Sequence, residues 1–228
     1  MLTVMTDRRF RDSKGFTLED YWRPSVAVDT AVLTPDPVEG LLVLEVRRDS
    51  PSGWALPGTF LWEGELLVDA VRRSLRLKAG VEGLEPHQLQ VFDAFDRDKR
   101  GRVLSVAHWA AVPPERLANR FATETRLVPV DRPGQLIYDH PKIIDKAVEN
   151  IRSRYEKEPD PDRVLGKTFT ILELGKLHEV IAGQDLDRDL FRREMKEKLV
   201  ATGEMSKGTR GRPAELFRRR GRRSRANR

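Results

Sequence analysis

Apolar residues recur along this chain with two different periods, and the places where the period changes mark its organisation. Residues 1 to about 20 show little periodicity and read as a basic arm carrying Arg8, Arg9 and Arg11. Val26–Leu33 and Leu41–Val46 are β-rich runs joined by TPDPVEG, a turn-like connection. Leu67, Val71 and Leu75 then fall at i, i+4 and i+8, which predicts a helix over Leu66–Ala79 with Gly80 as its stop. Leu89–Phe95 and Arg102–Ala111 read as two more strands, with DRDKRG as the hairpin turn between them. Strands arranged around one amphipathic helix predict an α+β first domain of roughly 120 residues.

The grammar shifts near Pro141. His140-Pro141 opens a helix with proline in its first turn, and Ile144, Val148, Ile151 and Tyr155 give it one apolar stripe. EKEPDPDRV then breaks the chain, so this stretch reads as a connecting helix and linker. Beyond it, Thr170-Ile-Leu-Glu173 is a capping box, and Ile171, Leu174, Leu177 and Ile181 form the buried face of a helix ended by Gly183. Asp187 caps a second helix expected to run to about Ala201. Leu190, Phe191, Met195 and Leu199 lie on one side of it, and Arg192, Arg193 and Lys196 on the other. Two helices joined by a short turn, the second with a basic face, match the helix-turn-helix pattern. TGEMSKGTRGRPAELFRRR reads as a β-hairpin wing with Lys207, Arg210 and Arg212 at its tip. The expected division is a basic arm (1–20), an α+β domain (21–139), a connecting helix and linker (140–163), and a winged helix-turn-helix domain with a basic tail (164–228).

Charge sharpens this division. The chain carries 42 Lys+Arg and 36 Asp+Glu, a net +6. Residues 207–228 hold 10 of those bases and one acid, Glu215, a balance of +9; the other 206 residues therefore carry −3. A basic tail beside a near-neutral body implies a polyanionic partner. With no cysteine, disulfides and thiolate metal sites are excluded and a reducing cytoplasm is the expected compartment. The start, MLTVMTDRRFRD, lacks the apolar core of a secretory signal, and no uncharged run approaches the ~20 residues of a membrane helix. His87, His108, His140 and His178 are scattered without metal-like spacing and read as surface or packing residues.

The stretch LPGTFLWEGELLVDAVRRSLRLKAGV, Leu56 to Val81, resembles the Nudix box of diphosphate hydrolases, Gly-x5-Glu-x7-Arg-Glu-apolar-x-Glu-Glu-x-Gly-apolar. Aligned by that spacing, Thr59 stands for the first glycine, and Glu65, Arg73, Gly80 and Val81 match. The three carboxylates that would follow Arg73 fall on Ser74, Leu77 and Lys78. Positions at i, i+3 and i+4 share one arc of a helix, where glutamates converge on Mg²⁺. Serine, leucine and an ammonium do not. The resemblance therefore implies a Nudix-like scaffold with no catalytic residue, no metal ligand set and no cofactor.

Several further segments, in order, resemble the Nudix-related transcriptional regulators of bacterial NAD metabolism, the NrtR family. DRDKRGRVLSVAHWA is similar to that family's hairpin after the box, LIYDHPKIID to its domain junction, LDRDLFRRE to its recognition helix and GTRGRPAELFR to its wing. The resemblance covers approximately residues 20 to 220. It implies an α+β protein built of an N-terminal Nudix-like α/β/α sandwich and a C-terminal winged helix-turn-helix. It also implies a homodimer that represses genes of NAD biosynthesis or salvage, with ADP-ribose or a related metabolite as effector. Departures at Thr59, Trp62, Glu63 and Leu190 accompany the lost carboxylates.

The residues supply chemistry for each reading. Arg47, Arg48, Arg73 and Lys78 are cations for a bound diphosphate, and Trp54, Phe60 or Trp62 an aromatic face for its base. Glu65 survives as a lone box carboxylate. Arg73 reads first as a surface helix charge, and Trp54 and Phe60 as core residues around the Leu-Pro-Gly turn, leaving Trp62 as the exposed aromatic. For double-stranded DNA, Arg192, Arg193 and Lys196 are placed for guanine O6 and N7 in the major groove of a palindromic operator, with Arg188 at the edge of the face. Arg210 and Arg212 flank Gly211 in the wing, and Thr168 and Thr170 are phosphate candidates, Thr170 having capping as its simpler role. RRRGRRSRANR is expected to be a disordered, nonspecific polyanion contact, and the protein to be cytoplasmic and nucleoid-associated. Two alternatives stand beside the repressor. One is a hydrolase of ADP-ribose or a related compound with Asp69, Glu82 and Glu85 as substitute ligands. The other is an RNA-binding or nucleoid factor driven by the tail.

Overall fold

The computed structural model describes residues 10–206 and 213–220. A mixed sheet of seven strands organises the first domain. Its main path runs β3 (Ser52–Ala55), β2 (Gly40–Asp49), β1 (Ser25–Asp36), β6 (Val103–Ala111) and β5 (His87–Phe92). β4 (Gly58–Phe60) pairs with β1, and β7 (Thr125–Pro129) with β2. β1 and β6 run parallel, from Ser25 opposite Val103 to Leu33 opposite Ala111, while the other pairings are antiparallel. Ala27 to Thr34 are all buried, because this central strand has a helix layer on each face.

One face is covered by α1 (Leu67–Ala79), whose Ala70, Val71, Leu75 and Ala79 pack on Val28, Val32, Leu44 and Val46. Gly80 ends it at φ 67, a left-handed backbone that glycine adopts without penalty, and a methyl there would sit 2.7 Å from the Phe121 ring. On the other face lies α2 (His140–Lys157), whose Ile143, Ile144, Ala147 and Ile151 meet Ala31, Leu33, Val43 and Trp109. This is the expected α/β/α sandwich.

The C-terminal domain consists of β8 (Phe169–Thr170), α3 (Ile171–Ala182), α4 (Arg188–Lys196), β9 (Leu199–Met205) and β10 (Glu215–Arg219), with sheet order β8-β10-β9. Both arms of the capping box form: the Thr170 hydroxyl accepts from the Glu173 amide, and the Glu173 carboxylate accepts from the Thr170 amide at 2.7 Å. Phe169, Leu174, Met195, Leu199 and Phe217 form the local core. The opposite side of α3 belongs elsewhere. Leu177 and Ile181 join Ile151, Tyr155 and Val164 in the core of the sandwich, so apolar packing runs unbroken from one domain into the next.

Four expectations need correction. β3, β4 and β7 escaped the sequence reading, because strands of three to five residues are too short for alternation to announce them. The strand expected to reach Phe95 stops at Phe92, and Phe95 is 85% exposed. α4 ends at Lys196 rather than near Ala201, because Leu199 to Ala201 pair with β10 and sheet hydrogen bonds replace helical ones. Leu190, placed on its buried side, is 43% exposed.

The stretch read as a linker is a packed junction. Asp160 is fully buried; its Oδ1 accepts from the Tyr155 hydroxyl at 3.0 Å and the Val164 amide at 2.7 Å, and its Oδ2 from the Leu165 amide at 2.9 Å. Arg219 of β10 forms an ion pair with Oδ2 and also donates to the carbonyls of Asp160, Leu165 and Gly166. Arg219 thus belongs to the domain junction and not to a free basic tail. Residues 221–228 of that tail, and 1–9 of the N-terminal arm, lie outside the described residues.

Candidate ligand pocket and nucleic-acid interface

The box helix keeps the scaffold of a phosphate site and reassigns its charges. Arg73 Nε and Nη2 hold both oxygens of Glu65 at 2.7 Å. The same guanidinium donates to Thr59 Oγ1 at 3.1 Å and to the Phe60 carbonyl at 2.9 Å, and it lies 3.7 Å from the centroid of the exposed Trp62 ring. Arg73 is therefore the clamp of the Thr59–Glu65 loop, not a surface helix charge. Glu65 also accepts from the Trp62 amide, and the paired guanidinium holds its carboxyl below the usual range.

Magnesium does not fit this donor set. Glu65 is consumed by Arg73; Ser74 is buried with its hydroxyl unpartnered, Leu77 faces solvent, and the Lys78 ammonium donates to the Gly58 carbonyl. Asp69, Glu82 and Glu85 line an open groove along α1 together with Arg72, Arg73 and Arg76. Among the described residues no three His, Asp or Glu side chains come together as a metal site.

Behind the loop lies a cavity of about 140 Å³, bordered by Asp29, Arg48, Gly58, Phe60, Lys78, Arg97, Asp98, Arg100, Tyr138 and His140. Asp29 is its buried anchor. Ser105 donates to it at 2.6 Å, Arg97 approaches at 3.3 Å, and His140 Nε2 lies 3.4 Å away. Burial pushes the Asp29 carboxyl up, but His140, Ser105 and Arg97 together outweigh burial and hold it below the usual range. His140 Nδ1 accepts from the Leu56 amide at 2.8 Å, which leaves the proton on Nε2, facing Asp29. Gly58 must be glycine for space: a methyl would strike the Asp29 carboxylate and lie 2.9 Å from the Val28 carbonyl. Arg97 is also bound by Asp139 at 2.8 Å, and Arg100 grips Asp98 with two bonds of 3.0 and 2.7 Å. Desolvation, then the neighbouring Arg48, pull the Lys78 ammonium down to about 8.

In the C-terminal domain, Asp187 caps α4 by accepting from the Asp189 and Leu190 amides at 3.0 and 2.9 Å. Phe191 and Met195 turn inward; Arg188, Arg192 and Arg193 are exposed. Such a row of arginines on the second helix of a helix-turn-helix suits phosphates and base edges.

Family models place these two regions. A NUDIX domain model matches residues 23–150 and a model of the NrtR DNA-binding winged helix domain matches residues 162–219. The chain belongs to the NrtR family of Nudix-related regulators. Among relatives of this NrtR-family chain, the ADPR responsive transcriptional repressor NtrR of Acinetobacter baylyi is 27% identical over 208 residues, spanning 87% of this chain and 83% of that protein. An ADP-ribose pyrophosphatase of Methanocaldococcus jannaschii is 31% identical over 135 residues, 59% of this chain and 78% of that one. The crystal structure of Shewanella oneidensis NrtR complexed with a 27mer DNA superposes with a TM-score of 0.73 at 29% identity, covering 85% of this chain and 93% of that chain.

For this NrtR-family chain, the structure sorts the residues singled out from sequence. Of the ligand candidates Arg47, Trp54, Phe60, Glu65 and Arg73, Phe60 alone borders the cavity. Arg47 is exposed, because neighbouring strand residues project from opposite faces and its neighbour Arg48 takes the inward place. Neither aromatic is core: Phe60 is 37% exposed, and Trp54 is half-buried under Arg126, 4.3 Å from its centroid. Arg97, Arg100, Tyr138 and His140 were missed. The DRDKR run held the two arginines, but its turn-like composition masked them; Tyr138 and His140 come from the separate LIYDH stretch. On the DNA side, the Thr170 hydroxyl is committed to its cap, while Thr168 is exposed. Lys196 is half-buried and leans to the wing, 3.9 Å from Glu215 and 5.4 Å from the Phe217 centroid. Lys207, Arg210 and Arg212 lie outside the described residues; the Ser206 amide, just past β9, donates to the Ala214 carbonyl, just before β10, at 2.7 Å.

Proposed function

We propose that this protein is an ADP-ribose-responsive transcriptional repressor of NAD biosynthesis or salvage genes, acting in the cytoplasm as a homodimer on a palindromic operator. Its Nudix-like domain senses and does not cleave. One observation carries this reading: the box carboxylate Glu65 is spent on Arg73 while an ammonium, Lys78, faces the cavity, in a chain whose other end presents Arg188, Arg192 and Arg193 on a recognition helix. The name of the Acinetobacter relative and the DNA complex of the Shewanella one support both halves.

The route between the ends is short. His140 in the first turn of α2 borders the pocket. Tyr155 near its far end meets His178 of α3 edge to face at 5.1 Å, and His178 meets Phe191 of α4 edge to face at 4.9 Å. Fifteen residues of helix span roughly 22 Å. A shift of α2 on ligand binding would reach the recognition helix through two ring contacts.

The test is an electrophoretic shift on promoter fragments of NAD genes and on random DNA at ~0.15 M salt. Preference for a promoter, relieved by ADP-ribose, is expected; equal binding to random DNA would reject a specific regulator. The 31% identity to an ADP-ribose pyrophosphatase keeps a hydrolase as the second reading. AMP formed from ADP-ribose with Mg²⁺ or Mn²⁺, and abolished by Glu65→Gln, would establish it.

A further inference from the structure

We infer that the pocket grips a diphosphate directly through Lys78 and Arg48, so that the Lys78 ammonium stands in for a divalent cation and ligand binding needs no metal. This deepens the effector reading above and rests on it. Four cations border the cavity, Arg48, Lys78, Arg97 and Arg100, against two carboxylates, Asp29 and Asp98. Arg97 is taken by Asp29 and Asp139, and Arg100 by Asp98. Arg48 and Lys78 have no carboxylate partner among the described residues. Arg48 reaches only the Ser50 carbonyl at 3.5 Å, and Lys78 only that of Gly58.

Two unpaired positive charges match the two negative charges of a diphosphate diester. They come from different elements, β2 and α1, and so converge on the cavity from two sides. The Gly58 carbonyl that holds Lys78 is itself fixed, since Gly58 pairs with Asp29 on β1. The ammonium is therefore in place before any ligand arrives. Like charges confined in one small cavity repel, and an arriving anion relieves both. A divalent cation would meet that repulsion instead. Burial first, and then the neighbouring Arg48, lower the proton affinity of Lys78. At about 140 Å³ the cavity suits a polar group, not a whole nucleotide, since complete ligand pockets run to roughly 300 Å³ or more.

The experiment is calorimetric titration of the full chain with ADP-ribose, in EDTA and in Mg²⁺, and with inorganic pyrophosphate in EDTA. Wild type, Lys78→Met and Lys78→Arg are compared, and the unligated melting temperature of each is recorded. Wild type should bind ADP-ribose equally in both buffers. Lys78→Met should lose at least about tenfold for both probes, the loss of a charged hydrogen bond, and Lys78→Arg should recover most of it. Unligated Lys78→Met should melt no lower than wild type, because it removes a half-buried charge that has no carboxylate partner among the described residues. ADP-ribose binding that requires Mg²⁺ would overturn the inference and leave the effector reading intact. Pyrophosphate binding that depends on Lys78, with no ADP-ribose binding in either buffer, would keep the cradle and sink that effector. Unchanged affinity in Lys78→Met, or no binding of either probe in EDTA, would overturn the inference.

Discussion

Asp160→Asn tests the junction between the two domains. Asp160 sits at φ 48, a left-handed conformation that asparagine tolerates, so the substitution leaves the backbone undisturbed. An amide oxygen at Oδ1 keeps the bonds from Tyr155 and Val164. The NH₂ that replaces Oδ2 then faces the Leu165 amide and Arg219, donor against donor. One amide bond to the carboxylate and one buried ion pair are lost together. Breaking a buried pair from one side costs about 3–5 kcal/mol, and the lower end applies here because Arg219 keeps its carbonyl acceptors. About 3 kcal/mol corresponds to a fall of roughly 6–12 °C in melting temperature for a chain of this size. The assay is thermal unfolding followed by circular dichroism, with Arg219→Met and the double variant completing a cycle. The double variant should lie close to Arg219→Met alone. A loss under about 1 kcal/mol, or strict additivity, would refute the junction as a coupled ion pair.

Three further outcomes are expected. Arg192→Ala and Arg193→Ala should each weaken operator binding by about 1–3 kcal/mol in a fluorescence anisotropy titration, while equal binding by both would move base readout to the wing. Arg73→Met should destabilise the sandwich by roughly 2 kcal/mol in urea unfolding, since it removes charged bonds to Glu65 together with those to Thr59 and Phe60. A change within about 0.5 kcal/mol would return Arg73 to a surface role. ADP-ribose affinity should fall as pH rises through about 8, where Lys78 loses its proton. The groups facing it are Arg48 on β2, Asp29 on β1 and Arg73 on its own helix. A bound anion raises the ammonium's proton affinity, so binding takes up a proton near pH 8 and is fully developed below it. Calorimetry in two buffers of different ionisation enthalpy checks this, and a profile flat beyond pH 8 with no proton uptake would contradict it.

What could be read from the sequence was what short stretches determine for themselves. The α1 stripe, its Gly80 stop, the Thr170–Glu173 capping box and the Asp187 cap depend on residues within a turn or two of one another. Their spacing alone therefore predicted them. The absence of box carboxylates at Ser74, Leu77 and Lys78 was equally legible, because helical positions follow from number.

Tertiary structure decided the rest. The cavity draws Asp29, Arg48, Lys78, Arg97 and His140 from five separate segments, and no local pattern marks residues that meet only through a sheet. Strand parity chose Arg48 over Arg47, and pairing with β10 ended α4 short of Ala201. Asp160 shows the limit best. In sequence it belongs to a charged, proline-broken linker; in the fold it is fully buried, because Arg219, 59 residues away, arrives to share its charge. Capping and periodicity act within one element and survive in the bare chain. Burial of a charge depends on a partner that only the folded chain brings near.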